Sequence, residues 1–111
     1  MKLLIFILNK VEMVDTLLKK FTSENISGAT IANTRGMLQK LMSDDDLNII
    51  GSFRHLINPK RSENKTIFMV VKEEKIKEIV EIIESIVGSL DEPDSGLLFT
   101  IPIDYVRGYK Q

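Results

Sequence analysis

His and Cys, two residue types often used in catalysis and metal binding, are almost absent from this chain. Its 111 residues include one His and no Cys, which excludes cysteine nucleophiles, thiolate metal sites and disulfides. His55 stands alone, so one chain supplies a single imidazole and no multi-histidine metal site. The acidic cluster Asp44–Asp46 is continuous and lacks the alternating spacing of a calcium-binding loop. We therefore predict no metal site within a single chain.

Motifs of known enzyme classes are also absent from the sequence. It contains no G-x-S-x-G nucleophile turn, no G-x-x-x-x-G-K-[ST] phosphate loop and no H-E-x-x-H zinc motif. Lys plus Arg is 15 and Asp plus Glu is 16, so the formal charge is −1. General binding to nucleic acid needs a basic surface that displaces counterions. We predict a protein that is not an enzyme and that has no nucleic-acid partner.

The hydrophobic pattern predicts the elements that must position any site. Three apolar strands, a half-exposed edge strand and two amphipathic helices are expected, in the order strand 3–8, helix 11–24, strand 29–35, strand 65–71, helix 73–87 and strand 97–103. The order β-α-β-β-α-β is typical of a ferredoxin-like α+β fold, with a four-stranded antiparallel sheet and two helices on one face. The whole chain, residues 1–111, is predicted to form one domain.

A long connection over residues 36–64 joins the second and third predicted strands. Irregular connections longer than about 15 residues are commonly functional. This one contains the acidic cluster, His55 and several apolar residues between Leu47 and Ile57. Because those apolar residues disfavour a freely solvated tether, we expect the connection to pack on another surface, with a short strand near residues 48–52.

The apolar run at the amino terminus is too short for a secretory signal or a membrane span. This run, Leu3–Leu8, has six residues, whereas a secretory signal needs about 7–15 and a cleavage site. A bilayer span needs about 20 consecutive apolar residues, and no segment approaches that length. The sequence therefore predicts a cytoplasmic protein with no membrane insertion.

Three predicted strands are apolar on both faces, although two helices can cover only one face of the sheet. About eight or nine apolar side chains would then remain exposed, forgoing more than about 10 kcal/mol of burial energy. That loss is comparable to the stability of a whole domain. We predict that the second face is buried between subunits; the alternative is that the long connection folds over it.

The segments MKLLIFILNK (1–10), ISGATIANTRGM (26–37) and SGLLFTIPIDYVRG (95–108) resemble the nitrogen regulatory P-II superfamily. The resemblance implies a homotrimeric signalling protein of nitrogen regulation that acts as an enzyme regulator. It also implies that a T-loop, here residues 36–64, contacts a partner protein. A B-loop after the second helix and the carboxy-terminal tail would complete a nucleotide site between subunits. Where P-II proteins have a lysine just before the last strand, this chain has Leu97.

The resemblance also implies ligand-binding positions for a small anionic effector. They lie at the base of the T-loop, in the B-loop and in the tail, and they are Gly36, Gln39, Lys40, Gly88, Ser89, Gly96, Arg107 and Lys110. The expected effector is ATP, ADP, AMP or another nucleotide, and no cofactor is required. Effector binding is expected to order the long loop, which then contacts the partner.

Two other functions remain open at this point. One is a metal-handling trimer like the CutA proteins, which share this architecture, with metal at His55 or the acidic loops. The other is an assembly module without a ligand, in which no metabolite changes the behaviour of the long connection.

Overall fold

The four strands form one antiparallel sheet and two amphipathic helices pack on it, which confirms the predicted ferredoxin-like α+β fold. A computed structural model describes residues 1–43 and 63–110, without the side chains of Met42 and Ser43. The elements are β1 (Lys2–Leu8), α1 (Val14–Ser23), β2 (Thr30–Thr34), α2 (Met37–Ser43), β3 (Asn64–Val71), α3 (Ile76–Val87) and β4 (Leu97–Pro102). Short 3-10 turns, Val11–Met13 and Glu73–Lys75, precede α1 and α3.

The strand order across the sheet is β2-β3-β1-β4, so β2 and β4 are the edges. The predicted edge position of the second strand is therefore confirmed. Pro102, which has no N–H to donate, ends the other edge strand. We call the end of the sheet at Leu8, Thr34, Asn64 and Leu97 the loop end. The opposite end, at Lys2, Val71 and Pro102, is the tail end.

The hydrophobic core lies between α1, α3 and one face of the sheet. Phe6 of β1 lies opposite Ile67 of β3 and Leu98 of β4, so alternate residues of these strands point toward the helices. The buried apolar residues are Leu4, Phe6, Leu8, Leu17, Phe21, Ile67, Met69, Val71, Ile79, Ile82, Ile83 and Val87. Both amphipathic helices thus pack their apolar stripes on the same face.

The other face of the sheet carries the remaining alternate residues, and most of those on β1, β3 and β4 are also apolar. Asn64 and Thr66 of β3 are the polar exceptions, whereas the apolar residues are Leu3, Ile5, Ile7, Phe68, Val70, Leu97, Phe99 and Ile101. Those of β4 are the most open, with Leu97 58%, Phe99 39% and Ile101 44% exposed. We call this set the apolar sheet face. Its presence agrees with the expectation that two helices leave one side of this sheet without helical cover.

The connection over 36–64 differs from the prediction at its start. Residues expected to be irregular form the seven-residue helix α2, which begins directly after Gly36. The short strand expected near 48–52 lies outside the described residues. In residues 1–43 and 63–110, no helix has the length and apolar character needed to cross a membrane.

Candidate functional site

The predicted ligand-binding residues fall into two groups at opposite ends of the sheet. Gly36, Gln39 and Lys40 follow β2, and the B-loop residues lie between α3 and β4, so both segments meet the loop end. Arg107 and Lys110 instead belong to the tail that follows β4 at the tail end. The seven residues of β1 separate the ends by about 20 Å. A small effector cannot contact both groups within one chain.

At the loop end, Gln39 connects α2 to the sheet. Its Oε1 accepts a hydrogen bond from the Gly36 backbone N–H at 2.7 Å, and its Nε2 donates to Asn64 Oδ1 at 3.0 Å. Asn64 is 7% exposed, so Gln39 supplies a partner to a buried amide. Lys40 is exposed, and its backbone N–H donates to the Gly36 carbonyl at 3.1 Å. The Gln39 side chain is thus engaged within the chain, and an effector that uses the Gly36 N–H must displace it.

Replacing Gln39 by alanine is expected to lower the free energy of unfolding by about 1–3 kcal/mol, because the buried Asn64 amide loses its partner. Urea denaturation followed by circular dichroism measures the change. Met37→Ala is the matched control, since that side chain lies on the same helix and is 72% exposed. Equal stability of the two variants would show that the Gln39 contacts do not hold α2 to the sheet.

The B-loop after α3 is held by local hydrogen bonds and by two glycines. The Leu90 N–H donates to Glu84 Oε2 at 2.8 Å, and Ser89 Oγ accepts from the Asp91 N–H at 3.2 Å. Gly88 has φ 91° and ψ 178°, a backbone region that is essentially restricted to glycine. Gly96 has φ 124°, and a Cβ built there would lie 2.6 Å from the Ile7 carbonyl oxygen. Backbone geometry therefore requires both glycines, whatever they bind.

At the tail end, Arg107 and Lys110 line a cleft of about 540 Å³. The loop after α1, the end of β3, the start of α3 and the tail form its walls. We call it the tail cleft. Its floor includes the buried side chains of Met69, Val71 and Ile79, whereas its rim carries charged and polar groups. The structure thus brings the two predicted tail cations together in one concave site.

The turn after α1 shapes one wall of the tail cleft. Asn25 takes the left-handed conformation with φ 61°, and the Ile26 N–H donates to the Phe21 carbonyl at 2.8 Å, which ends the helix. Gly28 is also left-handed with φ 84°. Of these two left-handed residues, Asn25 is the one that directly ends the helix.

Two further cations of the tail cleft were not predicted from the sequence. Lys72 and Lys75 line it from the short segment that precedes α3. The only sequence signal was a pair of lysines three residues apart at a predicted helix start. The missing information was tertiary, because nothing in the sequence shows that residues 106–110 cross this turn.

Within the two described ranges, no three His, Cys, Asp or Glu side chains come together as metal ligands. The candidate residues His55 and Asp44–Asp46 lie outside those ranges.

Comparison with known proteins assigns the chain to a family. The family model described as nitrogen regulatory protein P-II matches residues 1–110. No curated protein matches the chain significantly. Because the match spans almost the whole chain and agrees with the ferredoxin-like sheet, the chain belongs to the nitrogen regulatory protein P-II family, whose members are regulatory signalling proteins.

Proposed function

We propose that this protein is a cytoplasmic, non-enzymatic regulator that forms a homotrimer and binds a nucleotide effector between subunits. Residues 36–64 contact the regulated partner protein. The effector joins the tail cleft of one subunit to the loop end of the next. Its binding then changes the conformation of the 36–64 connection, so the partner responds to the effector.

The observation that carries this proposal is the separation of the predicted binding residues. Gly36 and Gln39 lie at the loop end of the sheet, and Arg107 and Lys110 lie at the tail end. One nucleotide spans less than the roughly 20 Å between these ends. A second copy of the chain, placed so that its tail end meets the loop end of the first, brings the two groups together.

The tail cleft has the chemistry that a nucleotide requires. Its floor of Met69, Val71 and Ile79 is apolar and suits the face of a base. Tyr109 at the rim keeps 39% of its surface exposed, so its ring is available for stacking. Arg107 offers a planar guanidinium that pairs with phosphate through two parallel hydrogen bonds.

The apolar sheet face supports the assembly. Soluble monomers rarely expose contiguous apolar patches beyond a few hundred Å². Phe99 and Ile101 of the edge strand are exposed, while Leu3, Ile5 and Ile7 beside them are half-buried. Packing of this face against other subunits removes the patch from water, and it also positions adjacent subunits for a shared site.

Isothermal calorimetry with ATP, ADP and AMP, each with and without magnesium, tests the proposal. We expect at least one nucleotide to bind, and Arg107→Ala to weaken its binding by at least about tenfold, since a charge-assisted contact to phosphate is lost. Lys19→Ala is the control, because Lys19 is an exposed cation of α1 that does not line the cleft. Failure of all three nucleotides to bind the wild-type protein would refute the nucleotide effector.

A further inference from the structure

We propose that Lys72 and Lys75, at the start of α3, bind the polyanionic group of the effector in the tail cleft. This inference rests on the proposed function and adds two residues and a charge preference to the same site. Together with Arg107 and Lys110, the two lysines form what we call the cationic rim. The rim makes the site selective for ligands that carry about three or more negative charges, such as a nucleoside diphosphate.

The charge of the cleft differs sharply from the charge of the whole chain. The protein has 15 basic and 16 acidic residues, and its formal charge is −1. Among the described residues, those that line the tail cleft nevertheless include four cations and no Asp or Glu. A concave site lined by charges of one sign concentrates the electrostatic potential and attracts ligands of the opposite sign. The cleft is therefore a local anion-attracting surface on a weakly acidic protein.

Most of the cationic rim is available to a ligand. In the part of the chain that the structure describes, Lys72, Arg107 and Lys110 form no ion pair with a carboxylate. Lys75 Nζ lies 3.4 Å from Glu78 Oε2, and these side chains are 59% and 41% exposed. Exposed pairs of this kind contribute little and exchange readily. An incoming phosphate therefore competes with one weak pair and with solvent.

Local backbone geometry places the two lysines side by side. Lys72 is extended and precedes the 3-10 turn Glu73–Lys75, which is closed by the Lys75 N–H donating to the Lys72 carbonyl at 3.0 Å. Both side chains line the tail cleft, so the turn brings two cations to one site. Like charges that share a site repel each other. A bound anion would relieve that repulsion.

Neighbouring carboxylates do not neutralise the positive charge inside the cleft. Glu73 and Glu74 occupy the turn between the two lysines, but both side chains are exposed and neither lines the cleft. Together with Glu78 they lower the net charge of the helix start, so the attraction should be short-ranged and sensitive to salt. Specific contact with the lysine ammonium groups is therefore needed for binding, and a diffuse field is insufficient.

The charge count selects among anions. Within residues 1–43 and 63–110, three of these cations form no ion pair and the fourth is in an exposed pair, which matches the three or more charges of a di- or triphosphate. A nucleoside monophosphate carries about two charges at neutral pH and leaves part of the rim unneutralised. Free inorganic tripolyphosphate shares the charged group but lacks a base for the apolar floor. Comparing these ligands separates recognition of charge from recognition of the base.

The test is calorimetry of the full-length wild type, the double variant Lys72→Ala/Lys75→Ala and the control Lys77→Ala with ADP, AMP and tripolyphosphate. Lys77 is exposed on the same helix and does not line the cleft. We expect the wild type to bind ADP more tightly than AMP. The double variant should lose at least about tenfold in ADP affinity and most of the preference over AMP. Lys77→Ala should bind as the wild type does, and thermal melting should confirm that all three proteins fold.

The outcomes distinguish this inference from the function on which it rests. If the double variant binds ADP as tightly as the wild type while Arg107→Ala weakens it, the two lysines are not binding residues and the nucleotide site stands. If no nucleotide binds the wild type, the proposed function and this inference both fail. Tripolyphosphate that binds as tightly as ADP would assign the ligand as a free polyphosphate and would remove the base from the proposal.

Discussion

Replacing Gly96 by alanine is expected to lower the free energy of unfolding by about 3–5 kcal/mol, a large share of a typical domain's stability. Two costs add at this position. The backbone has φ 124°, which a residue with a side chain rarely adopts, and the new Cβ would lie 2.6 Å from the Ile7 carbonyl oxygen and 2.7 Å from Phe6 Cε1. Because Phe6 is fully buried in the core, neither neighbour can move cheaply.

Gly28→Ala is the matched control for this prediction. Its φ of 84° imposes a similar backbone strain, but no atom lies within 4 Å of the added Cβ. Urea denaturation at one fixed protein concentration should give a small loss for Gly28→Ala and a much larger loss for Gly96→Ala. Similar losses in both variants would mean that the close approach of the B-loop to β1 does not determine stability.

Replacing Phe99 by lysine is expected to convert the proposed homotrimer into single chains. Phe99 lies opposite Ile5 on the apolar sheet face and is 39% exposed in the isolated chain. A lysine buried there without a partner would cost several kcal/mol in each subunit, which is enough to separate subunits at micromolar concentration. Sedimentation should give three times the chain mass of 12.6 kDa for the wild type and a single chain mass for the variant.

Thr100→Lys controls for the added charge. Thr100 is the next residue of β4, is exposed, and points to the opposite face of the strand. This variant should retain the assembly and its nucleotide binding, whereas Phe99→Lys should lose both, because the shared site needs two subunits. A wild type that sediments as a compact single chain at micromolar concentration would contradict the homotrimer and the inter-subunit site together.

Much of the fold could be predicted because strand and helix periods are local properties. The continuous apolar run of β1 and the helical stripe ending at Val87 both lie where the pattern placed them. The short helix α2 was not predicted, since seven residues carry too little periodicity to be distinguished from a loop. The hydrogen bond from Gln39 to Asn64 attaches α2 to the sheet and joins residues 25 positions apart. A local sequence pattern cannot predict such a contact.

The candidate site was only partly predictable for the same reason. The resemblance pointed to Arg107 and Lys110, and the structure places both in one cleft. Lys72 and Lys75 were missed because they share a cleft with Arg107 and Lys110 only in the folded chain, where the tail lies beside the turn that precedes α3. Gly88 and Gly96 were expected to contact a ligand, yet their conformations are already required by the backbone.

The residue pattern alone was enough to give the order of the four strands and of α1 and α3, the edge position of β2, and the excess of apolar residues over what two helices can cover. These follow from side-chain periodicity and from the amount of apolar surface, which depend on residues close together in the chain. The folded chain was needed to show that the predicted binding residues lie at opposite ends of the sheet and that four cations line one cleft. Those facts depend on strand register and on the path of the tail, which bring together residues far apart in sequence.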